Sequence, residues 1–206
     1  MDLTIVILFM AVSFCGISYS LVAPFVPIEM EEKGVDPQVT GWIFASFSVS
    51  MILGAQIIGK VQGKIGRRNI LLVGILLQAT SNVAYGMSHY ISGDSSLYIP
   101  YTIIVRMIEG FSSTCTWTPS YAITTIVYKE NAEAMLAVVE SATGFGFMIG
   151  PFVGSMLYEA GGFTLPFYVV AGIFLLSAPL IRFGLSSSVD ETEVEPELAP
   201  NSTLLQ

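Results

Sequence analysis

At 206 residues, with 53% hydrophobic and only 12% charged side chains, the chain has too little charge to cover a soluble surface, which ordinarily carries roughly 25%. Its net charge of −8 brings no basic stripe or aromatic platform with it, which argues against nucleic acid as a partner. Five of the sixteen acids (Asp190, Glu191, Glu193, Glu195 and Glu197) are gathered near the C-terminus, so the negative balance describes that stretch rather than the whole chain.

Crossing about 30 Å of hydrocarbon takes a helix of about 20 apolar residues. Six stretches of that kind follow one another at about 3–27, 39–59, 69–90, 97–127, 135–157 and 165–185. They predict an all-α membrane protein with six transmembrane helices in a bundle over residues 1–185, solvated by a lipid bilayer. The first, Leu3–Pro27, follows Asp2 and lacks the basic flank and small-residue cleavage site of a signal peptide, and it is too long for such a core. It reads as a retained span. Its Pro24 and Pro27 bend or end the helix, and it carries Ser13, Ser18, Tyr19 and Ser20. A charged turn, Glu29–Pro37, leads to the second span, and a basic, glycine-containing loop, Lys60–Arg68, leads to the third. The third ends at His89, expected at the membrane interface, before the polar loop Ser92–Ser96. The fourth span is longer than a crossing requires, and Pro119 is expected to kink or end its core. Tyr128–Ala134 is charged and Glu159–Phe163 is a Gly-rich turn. Residues 186–206, with Pro196, Pro200 and a run of acids, have little to bury and read as a disordered tail.

Loops this short make neighbouring spans antiparallel. The even loops and the end of span six hold Lys60, Lys64, Arg67, Arg68, Lys129 and Arg182, against Lys33 alone in the odd loops. Basic residues stay cytoplasmic, so both termini and the tail are expected in the cytoplasm.

Charges inside spans are the informative residues, because each costs about 2.5–3.5 kcal/mol at the helix centre. Three stand out: Arg106 and Glu109 in span four and Glu140 in span five. Arg106 and Glu109 are three residues apart and share a helix face, which continues through Ser113, Thr116 and Ser120. That stripe suits either a helix lining a hydrated solute path or a pair that neutralises itself while hydroxyls bond neighbouring helices. Glu140, near the cytoplasmic end of its span, suits either a solvated acid or a carboxylate that exchanges a proton for a cation. Span five also carries Gly146, Gly150 and Gly154 at four-residue spacing, with Pro151 in the same run. Such spacing lets helix backbones touch, and the proline bends the helix. Cys15 and Cys115 lie in apolar runs and read as small buried hydrophobes. The chain has one histidine, no G-x-S-x-G elbow and no H-E-x-x-H pair. The reading is therefore not an enzyme, with no catalytic residues, metal or cofactor.

Several of these motifs resemble those of the major facilitator superfamily. The run Gly59-Lys60-Val61-Gln62-Gly63-Lys64-Ile65-Gly66-Arg67-Arg68 is similar to its signature between spans two and three, with Gly63 where an acid is usual. The run Gly146–Ser155 is similar to its antiporter motif, with Ser155 in place of a final glycine, and Arg106 matches the arginine that the family links to proton transfer. Ala23-Pro24-Phe25-Val26-Pro27, Glu31-Glu32-Lys33-Gly34, Arg106-Met107-Ile108-Glu109 and Glu140 resemble the vesicular amine and polyamine transporter group.

The resemblance implies the N-terminal six-helix half of a twelve-span, proton-coupled antiporter of cationic amines or polyamines, housed in a vesicle or another endomembrane. Arg106, Glu109, Glu140, Ser113 and Thr116 would then line the solute and proton path. Gly146, Gly150, Pro151 and Gly154 would serve packing and gating, and Gly59, Gly66, Arg67 and Arg68 would form the cytoplasmic loop motif. The partners implied are a small organic cation, protons, and a second six-helix half or a second copy. Two other readings stay open: a half for a different organic solute, with Arg106 facing an anion, and a non-transporting membrane protein that packs on a partner through the glycine face.

Overall fold

The computed structural model describes residues 2–93 and 96–190. Among the described residues there are seven α-helices: α1 Leu3–Leu21, α2 Val26–Glu32, α3 Pro37–Ile65, α4 Arg67–Met87, α5 Tyr98–Val127, α6 Ala132–Gly161 and α7 Thr164–Gly184. Among the described residues, five stretches are long and apolar enough to cross a membrane: Leu3–Glu32, Pro37–Ile65, Arg67–Tyr90, Lys129–Gly161 and Thr164–Gly184. The fourth expected span, α5, has the length at 30 residues. Its Arg106, Glu109 and hydroxyl residues lower its hydropathy.

The element boundaries follow from local chemistry. After Leu21 the backbone turns through Val22–Phe25, and α2 restarts with Pro27 in its first turn, where a missing N–H costs no hydrogen bond. Part of the charged turn expected over Glu29–Pro37 is thus helical, through Glu32. The Asp36 carboxylate accepts the Gln38 N–H at 2.7 Å and starts α3, with Pro37 at its first position. The loop expected over Lys60–Arg68 is also mostly helix: α3 continues to Ile65 and α4 begins at Arg67. A single residue, Gly66, makes the reversal at φ +95°, a conformation that a side chain resists. Gly162, at φ +74°, does the same between α6 and α7. Pro119 and Pro151 lie inside α5 and α6 without ending them. Of the expected acidic tail, Ser187–Asp190 forms a short 3-10 turn, and 191–206 lie outside the described residues.

The principal packing pairs are α1 with α6, α3 with α5, α4 with α5, and α4 with α7. The glycine run of α6 explains the first. A methyl group on Gly146 would meet the Ser13 carbonyl, on Gly150 the Ser20 hydroxyl, and on Gly154 the Leu21 carbonyl at 2.6 Å. The two backbones therefore touch, and the Ser13 hydroxyl donates to the Ala142 carbonyl across the contact at 3.2 Å. Gly74 of α4 lies against Cys115 of α5 in the same manner, with 2.8 Å available for a methyl. Cys15 and Cys115 are buried thiols.

The bundle has two distinct ends. At 1.5 Å per residue, α3 separates its termini by about 40 Å. At one end α2, the turn after α4 and the α6–α7 turn meet, through Lys33, His89 and Phe163. At the other, the Gly66 reversal meets the residues after α7, where Arg68 donates to the Leu185 carbonyl at 3.1 Å. The stretches Glu29–Asp36 and Lys60–Arg68 thus lie at opposite ends, as antiparallel threading requires.

Candidate functional site

Arg106 and Glu109 are brought together. Arg106 Nη1 donates to Glu109 Oε2 at 2.8 Å, with both side chains almost wholly buried. The guanidinium lies over the Phe44 ring at 4.7 Å and the Tyr85 ring at 4.9 Å. Its Nε and Nη2 have no hydrogen-bond acceptor among the described residues, and the π-faces attract the charge instead.

The second carboxylate oxygen joins a network that the sequence did not announce. Ser18 of α1 donates to Glu109 Oε1 at 3.3 Å and accepts from Gln78 Nε2 at 3.1 Å and Asn82 Nδ2 at 2.9 Å, both on α4. Ser112 closes the circuit by donating to Gln78 Oε1. Gln78, Asn82, Ser18, Arg106, Glu109 and Ser112 are all buried. The rest of the α5 stripe turns inward. Ser113 donates to the Glu109 carbonyl at 2.9 Å, Thr116 to the Ser112 carbonyl at 3.2 Å, and Ser120 to the Thr116 carbonyl at 2.6 Å. These hydroxyls are satisfied by their own helix. The charges are thus tolerated by mutual neutralisation and hydrogen bonding.

Glu140 stands elsewhere. It is exposed on α6, and its Oε2 accepts from the Tyr121 hydroxyl of α5 at 2.6 Å. The pair edges a groove of about 330 Å3 lined from four helices: Tyr19 of α1, Phe47, Ser48 and Met51 of α3, Trp117 and Tyr121 of α5, and Glu140, Thr143 and Phe147 of α6. Ring centroids lie 4.8 Å apart for Tyr19 and Phe47, 5.3 Å for Tyr19 and Phe147, and 6.4 Å for Trp117 and Phe147. The Trp117 indole N–H and the Thr143 hydroxyl are buried without a hydrogen-bond partner among the described residues. One carboxylate within an aromatic wall suits a cation with an apolar body.

The structure therefore separates the sequence-derived candidates. Arg106 and Glu109, with Ser113 and Thr116, sit inside the packing of α5, while Glu140 faces open space. Gln78, Asn82, Trp117 and Tyr121 were not singled out from sequence. The amides had a signal, two of them four residues apart on one face of a membrane-spanning helix; the aromatic residues had none that distinguished them from packing or lipid-facing rings. Gly146, Gly150 and Gly154 face α1 of the same chain, so the face considered above for an outside partner is already covered. Pro151 shares that contact helix. Gly59 has open space around it. Gly66, Arg67 and Arg68 meet the segment after α7: Arg67 donates to the Val189 carbonyl at 3.4 Å, and the Arg68 N–H to Asp190 Oδ1 at 3.0 Å. Where the signature places its acid this chain has Gly63, and here it is Asp190 that brings a carboxylate to the reversal. Among the described residues, no three His, Cys, Asp or Glu side chains gather as metal ligands would.

Comparison with known proteins agrees with this architecture. Residues 8–204 match the family model of the Major Facilitator Superfamily. The chain is 28% identical to the human MFS-type transporter SLC18B1 over 79% of its own length and 35% of the relative's. It is 28% identical to the human synaptic vesicular amine transporter over 81% and 31%. It is 29% identical to multidrug resistance protein 1 of Bacillus subtilis over 86% and 43%. The matched stretch thus spans between 31% and 43% of the length of these transporters. A match over nearly every residue, on a bundle of long apolar helices, means that this integral membrane chain belongs to the major facilitator superfamily.

Proposed function

We propose that this six-helix unit is one half of a secondary transporter that exchanges an organic cation for protons, and that Glu140 is the group in this half that meets the cation. The observation that carries the proposal is the groove in which Glu140, held by Tyr121 at 2.6 Å, faces Tyr19, Phe47, Trp117 and Phe147. An ammonium group is attracted to the carboxylate and to ring faces alike. A proton on the carboxylate would remove its charge from that attraction, so proton and cation compete for one place. A groove open along one side is what a binding site between two rocking halves requires. The second half, or a second copy, would supply the opposite wall. The names of the relatives, an amine transporter and a multidrug resistance protein among them, support a cationic amine over an anion. So does the pairing of Arg106 with Glu109, which matches that guanidinium with a carboxylate of its own helix.

In this proposal Arg106, Glu109, Ser113 and Thr116 act behind the groove, by fixing α5 against α1 and α4. Gly146, Gly150, Pro151 and Gly154 allow α1 and α6 to slide on each other as the groove opens. Gly59, Gly66, Arg67 and Arg68 lie at the cytoplasmic end with both termini, and the α2 end faces the lumen of a vesicle or other endomembrane compartment.

Binding tests the central point without a second half. A radiolabelled arylalkylamine and a radiolabelled polyamine are titrated against the chain in lipid nanodiscs at several pH values. Saturable binding that weakens as the pH falls, and that drops at least tenfold in Glu140→Gln, is expected. Unchanged affinity in Glu140→Gln, or displacement by organic anions but not by amines, would contradict it.

A further inference from the structure

The single histidine, His89, sits in a clasp that the groove does not use. Its Nδ1 lies 2.8 Å from Glu29 Oε1, and Glu29 is buried while the imidazole is half exposed. Lys33, one turn along α2, is 3.7 Å from the same carboxylate oxygen. Its Nζ donates to the carbonyls of His89 at 2.8 Å and Ile91 at 2.7 Å. The imidazole stacks on Phe163 from the α6–α7 turn, with centroids 5.6 Å apart. The titratable and charged groups around it are thus Glu29 and Lys33 from α2, Tyr90 from its own turn, and Tyr98 of α5, over whose ring Lys33 lies at 5.1 Å; Phe163 is uncharged.

The helix held by this clasp is also a wall. Pro27, Glu31 and Val35 face Pro37, Thr40 and Phe44 of α3 across a cavity of about 420 Å3. Phe44, at its edge, is the ring that lies against the Arg106 guanidinium at 4.7 Å. The clasp holds α2 on one side and the cavity leaves it room to move on the other.

We infer that protonation of His89 tightens the clasp and holds α2 against the turns after α4 and α6, making the mobility of this end of the bundle pH-dependent. The sign follows from the partners. A neutral imidazole offers Glu29 a hydrogen bond, whereas an imidazolium offers a charge-assisted one and a cation to the Phe163 face. Lys33 opposes the added charge, but its ammonium is already held by two carbonyls. Histidine is the side chain whose charge changes near neutral pH, so α2 is held more firmly in acid and loosens as the pH rises. This inference does not depend on the solute carried.

Amide hydrogen exchange in nanodiscs tests it, corrected for the intrinsic pH dependence of exchange. Protection of residues 26–35 is compared at about pH 7.5 and about pH 5.5. The expected result is roughly tenfold greater protection at the lower pH in the native chain, a difference of about one decade that corresponds to one charge-assisted contact. The ratio should fall to near one in His89→Asn and, separately, in Glu29→Gln. No pH response in the native chain overturns the inference without any variant, and so does a response that persists in His89→Asn. Because α6 amides far from the clasp provide an internal reference, a global change in folding is distinguished from motion of α2.

Discussion

Two parts of one helix carry the chemistry of this bundle in opposite ways. Around Arg106 and Glu109, α5 is enclosed by α1, α4 and Phe44, and each charge is matched by another charge or by a hydrogen bond. Three to four turns further on, about 16 Å along the axis, Trp117 and Tyr121 border open space and meet the exposed Glu140. The first arrangement holds helices together and the second has a place for something else. An ionisable residue in a membrane span therefore marks function only after its surroundings are known: the pair that looked most functional in the sequence is the better satisfied, and the lone acid is the available one.

The largest effect should come from dividing the buried pair. Glu109→Gln leaves the Arg106 guanidinium buried without its counter-charge, which costs about 3–5 kcal/mol. A large fall in the thermal unfolding midpoint in detergent is expected, whereas Glu140→Gln should leave that midpoint unchanged. Equal losses in the two variants would erase the distinction between the regions. Next is the contact that forms one flank of the groove. In Gly150→Val the added carbons run into Ser20 and the Ile17 carbonyl, and overpacking of this kind costs about 1–3 kcal/mol. The spacing of α1 and α6, read from spin labels on both helices, should increase.

Asn82→Ala removes a donor to Ser18 and leaves a network around Glu109 partly unsatisfied. A loss of about 1–2 kcal/mol is expected in the same melting assay, with cation binding at the groove retained. The smallest effect is at the far end. Asp190→Ala takes a carboxylate from the first turn of α4, worth about 0.3–1 kcal/mol. Local exchange of the amides of residues 66–69 should rise with little change in global melting.

Much of the fold was legible because the bilayer leaves few alternatives. Runs of apolar residues and the short polar breaks between them placed the long helices, and the four-residue glycine spacing announced a close helix contact. The boundaries were less legible. Lys60–Arg68 has the charge and glycines of a loop, yet six of those residues continue α3 in spite of Gly63, and Gly66 alone suffices to reverse the chain. The site divided in the same way. The spacing of Arg106 and Glu109 was enough to expect the ion pair, since i,i+3 neighbours share a face. What closes over it was not legible, because Ser18, Gln78 and Asn82 come from helices some 25 to 90 positions away. The groove was hidden for a related reason: Tyr19, Phe47, Trp117 and Phe147 resemble any lipid-facing aromatic until four helices place them together.

Carboxyl labelling of the native chain compares the two regions most directly. The chain in nanodiscs is treated with a water-soluble carbodiimide and an amine nucleophile, and the modified residues are quantified by peptide mass spectrometry. Glu140 should be labelled readily and be protected by a bound arylalkylamine, while Glu109 should remain unmodified until the chain unfolds. Labelling of Glu109 at a rate comparable to that of Glu140 in the folded chain would contradict the division between a sealed pair and an open groove.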